Sequence, residues 1–117
     1  MESWIKYEKR FILGNKFDSV KFQIMVYTFS ENIHITLGHL NLLTHFAING
    51  ISKESIKTAL ENKIFKSKFS LGNAITFLLQ KGLIEVEKNK NKIISPKMDL
   101  VVNDYLLGNF KIINLNK

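Results

Sequence analysis

The chain has 117 residues, 45% of them apolar, no cysteine and a formal charge of +7. That length holds one domain with a core of its own, and the composition is far from that of a disordered tail. Disulfides and thiolate metal sites are excluded, no apolar run is long enough to span a bilayer as a helix, and "MESWIKYEKRF" lacks the apolar core of a secretion signal, so a cytoplasmic location is expected.

In chain order, residues 1–35 read as β-leaning. "SVKFQIMVYTF" alternates, with Val20, Phe22, Ile24 and Val26 on one face and Lys21, Gln23, Met25 and Tyr27 on the other. Turn-forming Gly14-Asn15 precedes it and Ser30-Glu31-Asn32 follows. Val20, Ile24 and Tyr27 also fit helical spacing, which leaves a helix over 20–29 as the alternative. From Thr36 the period is helical. Thr36 can cap a helix with Leu37, Leu40, Leu43, Phe46 and Ala47 on its apolar face, closed by Asn49-Gly50.

Ser52 caps a short second helix carrying Ile56, Ala59 and Leu60, and Ile64 and Phe65 pack inward from the connection after it. A third helix is expected to start near Ser67 or Ser70 and run to Lys81, with Gly82 just past its end. Gly72 costs a helix interior about 1 kcal/mol relative to alanine, which favours a start close to that glycine. Residues 83–95 read as a hairpin around "KNKNK". "MDLVVNDYLLGN" suggests one more helical piece, and "FKIINL" a final strand.

The charge is concentrated. Residues 62–97 hold eight lysines against Glu85 and Glu87, a local balance of +6. Such a patch attracts polyanions, and the plainer alternative is a solubilising surface. Only Arg10 of the seventeen basic residues is an arginine, so phosphate neutralisation is expected more than guanine-specific reading.

Three short helices followed by a basic hairpin, most clearly in "SLGNAITFLLQKGLIEVEKNKNKIISP", resemble the winged helix-turn-helix superfamily over residues 36–96. The "LLQKGLIE" segment resembles the end of the recognition helix in MarR-like regulators. "LGNAI…LLQKGLIE" looks like the winged-helix domain of T4-type phage middle-transcription activators, and "KIISP" is similar to wings of plasmid replication initiators. The resemblance implies a winged-helix core at 36–96; the absence of a repeat, low-complexity tract or linker makes 1–117 one α+β domain, with a β-leaning N-terminal extension over 1–35 and a C-terminal helix and strand over 97–117.

The residues themselves point to double-stranded DNA. With Leu71, Ile75 and Leu78 inward, helical geometry turns Ser70, Asn73, Thr76, Phe77 and Gln80 to the other side. A helix fits the major groove, where Asn and Gln can pair with adenine and Thr can touch a thymine methyl. Lys66 and Lys68, ahead of the helix, would meet phosphates, and Lys88, Lys90 and Lys92 would share one strand parity in a regular hairpin and reach a neighbouring phosphate row. Phe77 and Leu79 fit a groove face poorly and point either to a protein contact or to a helix face that lies one step away.

Enzymatic chemistry is not expected. His34, His39 and His45 do not form a ligand set, Glu85 and Glu87 read as ion-pair partners of neighbouring lysines, and no phosphate-binding glycine motif occurs. The expected function is a small, cofactor-free DNA-binding regulator of phage or plasmid transcription or replication, with a homodimer or a larger protein assembly as the further expectation. The rival is a phage or virion assembly protein whose winged-helix core binds protein.

Overall fold

The computed structural model describes residues 5–13, 15–102 and 106–114, with side chains described from 15 to 102. Strand β1 (Ile5–Leu13) pairs antiparallel with β4 (Leu106–Asn114), Ile5 standing opposite Asn114 and Leu13 opposite Leu106. Between them run α1 (Lys16–Ser30), α2 (Leu37–Asn49), α3 (Lys53–Glu61) and α4 (Lys68–Gln80). A short antiparallel hairpin of β2 (Ile84–Val86) and β3 (Lys92–Ile94) follows, then a 3₁₀ turn at Pro96–Met98. The architecture is α+β. No helix among the described residues is long and apolar enough to cross a membrane.

The expected strand over 20–29 is a helix. Asn15 caps it, its side-chain oxygen accepting from the Asp18 N–H at 2.8 Å, and Asp18 supplies the negative charge that a helix N-terminus favours. Val20 and Ile24 are fully buried, so the helical spacing wins over the alternation. The alternation arises because the opposite side of α1 is apolar as well. The β-leaning reading of 1–35 holds for β1, not for 16–30. At the other end, "MDLVVNDYLLGN" is not a helix where it is described. Asp99 is left-handed (φ 49°), which closes the 3₁₀ turn, and β4 already begins at Leu106. Residues 103–105 lie outside the described residues, as does Leu115 of the final strand segment.

The helix α2 is the centre of the core. Leu42 and Leu43 are inaccessible and Leu40 and Phe46 nearly so, while Leu37, assigned to the apolar face, overhangs the first turn and is 63% exposed. Against α2 pack Val20 and Ile24 from α1, Ala59 from α3, Leu71, Ala74, Ile75 and Leu78 from α4, and Leu83, Ile84 and Met98 beyond it. Each fully buried leucine contributes about 1.5–3 kcal/mol through removal from water. Ile64 and Phe65 pack against this core from the connection, as their sequence suggests.

Asn41 Oδ1 is buried without a hydrogen-bond partner among the described residues, while other polar groups inside are satisfied. The Thr44 hydroxyl donates to the Leu40 carbonyl at 2.8 Å and Thr28 to Ile24 at 3.0 Å. His45 ties α2 to the start of α3, its Nε2 lying 2.8 Å from the Ser55 carbonyl. A second long-range tie joins α1 to the C-terminal segment. The Gln23 amide donates to the Val101 carbonyl at 2.7 Å and accepts from the Val101 N–H at 2.8 Å.

Three helices end in the same way. After α4, Gly82 N–H donates to Leu79 and Leu83 N–H to Leu78, the paired bonds that terminate a helix through a left-handed residue. Gly82 adopts φ +75°, and Leu83 and Leu78 are both buried beside the turn. Asn32 and Lys63 occupy the equivalent left-handed position after α1 and α3, with φ 57° and 58°.

Candidate nucleic-acid interface

Helix α4 begins at Ser67, whose hydroxyl accepts from the Ser70 N–H at 3.1 Å while Ser70 Oγ accepts from the Ser67 N–H at 3.3 Å. This reciprocal cap fixes the start upstream of Gly72, so the expected start near that glycine is corrected: Gly72 is an interior residue of α4. It faces solvent, and an added Cβ would meet nothing within 4 Å.

With Leu71, Ala74, Ile75 and Leu78 buried, Phe69, Asn73, Thr76 and Gln80 fall at i, i+4, i+7 and i+11, a single outward stripe, and all four are exposed. Three of these were expected. Phe69 was not. It is 78% exposed at the head of the stripe, and its position four residues before Asn73 was the available signal.

The two other assigned side chains sit elsewhere. Ser70 is half-buried and its hydroxyl belongs to the cap, donating to the Ser67 carbonyl at 3.0 Å. Phe77 is half-buried on the flank facing α2, its ring stacked on His39 with centroids 4.4 Å apart and planes 13° from parallel. Lys81 Nζ lies 5.5 Å from the Phe77 centroid on the ring face. Leu79 also packs partly against the core. Phe77 and Leu79 therefore border the core, and neither is the free protein-contact residue that their sequence positions suggested.

His39 is the third residue of α2 as well as the partner of Phe77. Its Nδ1 accepts from the Thr36 N–H at 3.4 Å and lies 3.0 Å from the Thr36 hydroxyl, while the His39 N–H donates to Thr36 Oγ1. An accepting Nδ1 places the proton of the neutral ring on Nε2. Burial lowers the His39 pKa below 6.5.

Lys66 and Lys68 are exposed at the start of α4, and Lys63 is exposed at the preceding helix end. Helices α1 and α3 carry Asp18 and Glu54 in their first turns, whereas α4 carries no acid there. Lysines at a helix N-terminus oppose the helix dipole, and an anion at that end would relieve both effects.

The hairpin follows α4 directly. Ile84 is buried opposite Ile94, and Val86 stands opposite Lys92, both exposed. Glu87 N–H donates to the Asn91 carbonyl and Lys90 N–H to the Glu87 carbonyl, both at 2.8 Å. Residues 87–91 are thus a tight turn, with Lys90 at φ 68°. The expected strand parity of Lys88, Lys90 and Lys92 is corrected by this turn: only Lys92 lies in a strand, and Lys88 and Lys90 form the tip. All three are exposed. Glu85 accepts the Ser95 hydroxyl at 2.6 Å across the hairpin.

No family model, curated protein or solved structure matches the chain.

Proposed function

We propose that this protein is a winged-helix-type, non-enzymatic binder of double-stranded DNA, acting as a phage- or plasmid-type regulator of transcription or replication in the cytoplasm. In this reading α2 to α4 form the helical trio, the β2–β3 hairpin is the wing, and the whole chain is one domain. The observation that carries the proposal is the outward stripe of α4. Asn73 and Gln80 present amides and Thr76 a hydroxyl oxygen whose proton goes to the Gly72 carbonyl at 3.2 Å, none with a core role, and in chain order they lie between the lysines at the helix start and those of the hairpin tip. Amides and hydroxyls read base edges, and lysines on either side hold phosphates. The sequence resemblance over 36–96 supports the same reading.

Phe69 adds an apolar group at the head of the stripe, suited to a thymine methyl or a sugar edge. A rival reading, an assembly protein that uses this core for protein contacts, draws its support from the apolar outer side of α1. Titration against random duplex DNA at several salt concentrations tests the proposal. With roughly four or five phosphate contacts, each contributing about −0.9 to the slope of log affinity against log salt, binding weakens steeply as salt rises. Absence of binding at low salt would overturn it.

A further inference from the structure

Most of helix α4 is uncharged in a strongly basic chain. From Phe69 to Gln80 there is no Asp, Glu, Lys or Arg, although Lys66 and Lys68 stand just before this run and Lys81 just after it. Lys81 is engaged with the Phe77 ring on the flank. The outward stripe therefore offers a ligand an aromatic face, two amides and a threonine. Phe69, Asn73 and Gln80 are exposed, and neither amide has a hydrogen-bond partner among the described residues. Thr76 is exposed as well. Its proton is held by the Gly72 carbonyl, which leaves a ligand the methyl group and an oxygen that only accepts. Gly72 itself lies three residues after Phe69 and four before Thr76. Nothing stands within 4 Å of where its Cβ would be, so no bulk on that side holds a ligand away.

The chemistry of this set is selective. In the major groove a guanine presents two acceptors, best met by arginine or lysine, and a cytosine presents a donor, best met by a carboxylate. The stripe holds none of these side chains. An adenine presents a donor beside an acceptor, which an asparagine or glutamine amide meets with both of its polar atoms. A thymine presents a methyl, which a phenylalanine ring or a threonine methyl covers. Every group on the stripe thus has a partner on an A·T pair. From Phe69 to Gln80 the helix rises about 16 Å, the length of about five stacked base pairs.

We infer, resting on the DNA-binding reading above, that α4 selects A·T pairs in the major groove. Asn73 and Gln80 hydrogen-bond adenine, and Phe69 and Thr76 pack on thymine methyls. The lysines before the helix and at the hairpin tip supply a hold that is independent of sequence. The preference resides in uncharged groups, so it persists as salt weakens that hold.

Competition binding of the full chain to four duplexes of one length tests the inference. Their central pairs, in randomised orientation, are A·T, A·U, inosine·C or G·C. Uracil is thymine without its methyl. Inosine·C keeps the major-groove pattern of G·C, but without the guanine amino group its minor groove resembles that of A·T. A·T should bind at least about tenfold tighter than G·C, and inosine·C should bind like G·C. A·U should fall between them, weaker than A·T by roughly fourfold for each contacted methyl that is lost. Phe69→Ala should narrow the gap between A·T and A·U, and Asn73→Ala the gap between A·T and G·C. Both side chains are exposed, so thermal melts of the two variants should match wild type. The wild-type comparison stands without either variant. Equal binding of all four duplexes would overturn the inference and leave a DNA binder held by phosphate contacts alone. Inosine·C binding like A·T would also overturn it, because the preference would then come from the minor groove. Absence of binding to every duplex at low salt would overturn the DNA-binding reading and this inference with it.

Discussion

The His39 ring is stacked on Phe77 at 4.4 Å, joining the N-terminal cap of α2 to the flank of α4. The imidazole serves as a packing surface through its face and as a hydrogen-bond acceptor through Nδ1. The two roles respond to different perturbations.

The first perturbation is pH. Burial holds the His39 pKa below its value of 6.5 in the unfolded chain, so the unfolded state binds the proton more readily. Its contribution to stability is therefore complete above pH 6.5 and is lost as pH falls from there through the folded-state value. Protonation also removes the acceptor that the Thr36 N–H uses. His39→Gln keeps an acceptor at the third helical position without titrating. Thermal melts on either side of pH 6.5 should show a smaller acid-side loss for this variant than for wild type. Equal losses would assign the effect to other groups.

Truncation of Phe77 tests the packing role. Phe77→Ala removes the ring that His39 stacks on and Lys81 lies over, and should cost about 2 kcal/mol, less than the roughly 3–5 typical of a fully buried phenylalanine. The same variant should leave DNA affinity per folded molecule nearly unchanged. A denaturant titration and a binding assay on the same sample measure both.

Gly72 and Lys63 are places where the sequence departs from the residue its local geometry favours. An alanine at Gly72 enters open space on a helix interior, so Gly72→Ala should stabilise the protein by up to about 1 kcal/mol. Lys63 holds a left-handed conformation that costs a side-chain-bearing residue roughly 1 kcal/mol, and Lys63→Gly should recover much of it. If Lys63 meets a phosphate, that stabilised variant should also show a salt dependence shallower by about 0.9 in log–log slope. A gain in stability with an unchanged slope would place Lys63 outside the interface.

Asn73→Ala tests base reading. It should cost about 1–3 kcal/mol at a preferred DNA site and much less on random duplex, with no change in the melt because the side chain is exposed. An equal loss on both DNAs would make Asn73 a backbone contact.

The hairpin is tested by replacing Lys88, Lys90 and Lys92 together with glutamine. All sequences should lose affinity alike, the salt slope should flatten by up to about three contacts' worth, and folding should change by less than about 0.5 kcal/mol. Unchanged binding would leave the tip as a solvated turn.

The sequence signals that proved reliable were local ones. Thr36, Ser52 and Ser67 each cap the helix that follows, and Gly50 and Gly82 sit just past helix ends, because capping chemistry depends only on neighbours. The outward direction of Asn73, Thr76 and Gln80 followed from the buried spacing of Leu71, Ile75 and Leu78. The sequence over 20–29 fits a strand and, as the alternative, the helix that forms, because a helix apolar on both sides produces alternation as well as a three-to-four-residue period. Its clearest local marker was Asn15 three residues before Asp18. The pairing of β1 with β4 was not legible, since each strand's partner lies about a hundred residues away and no neighbouring residue specifies it. The roles of Ser70 and Phe77 were misassigned because periodicity gives a direction around the helix axis but does not show that a hydroxyl is already committed to a cap, or that an adjacent helix covers the flank.

The Gln23–Val101 clamp also bears on the order of folding. Its partners are 78 residues apart, so it forms only after a long loop of chain has closed, whereas the caps and turns between 15 and 98 join residues at most a few positions apart. Contacts of high sequence separation reward the chain late, after closure entropy has been spent. The helices and the short hairpin are thus expected to assemble first, with the joining of the C-terminal segment to α1 and the pairing of β1 with β4, farther apart still in sequence, as late steps. Gln23→Ala should then accelerate unfolding while leaving the refolding rate nearly unchanged, as expected for a contact absent from the transition state.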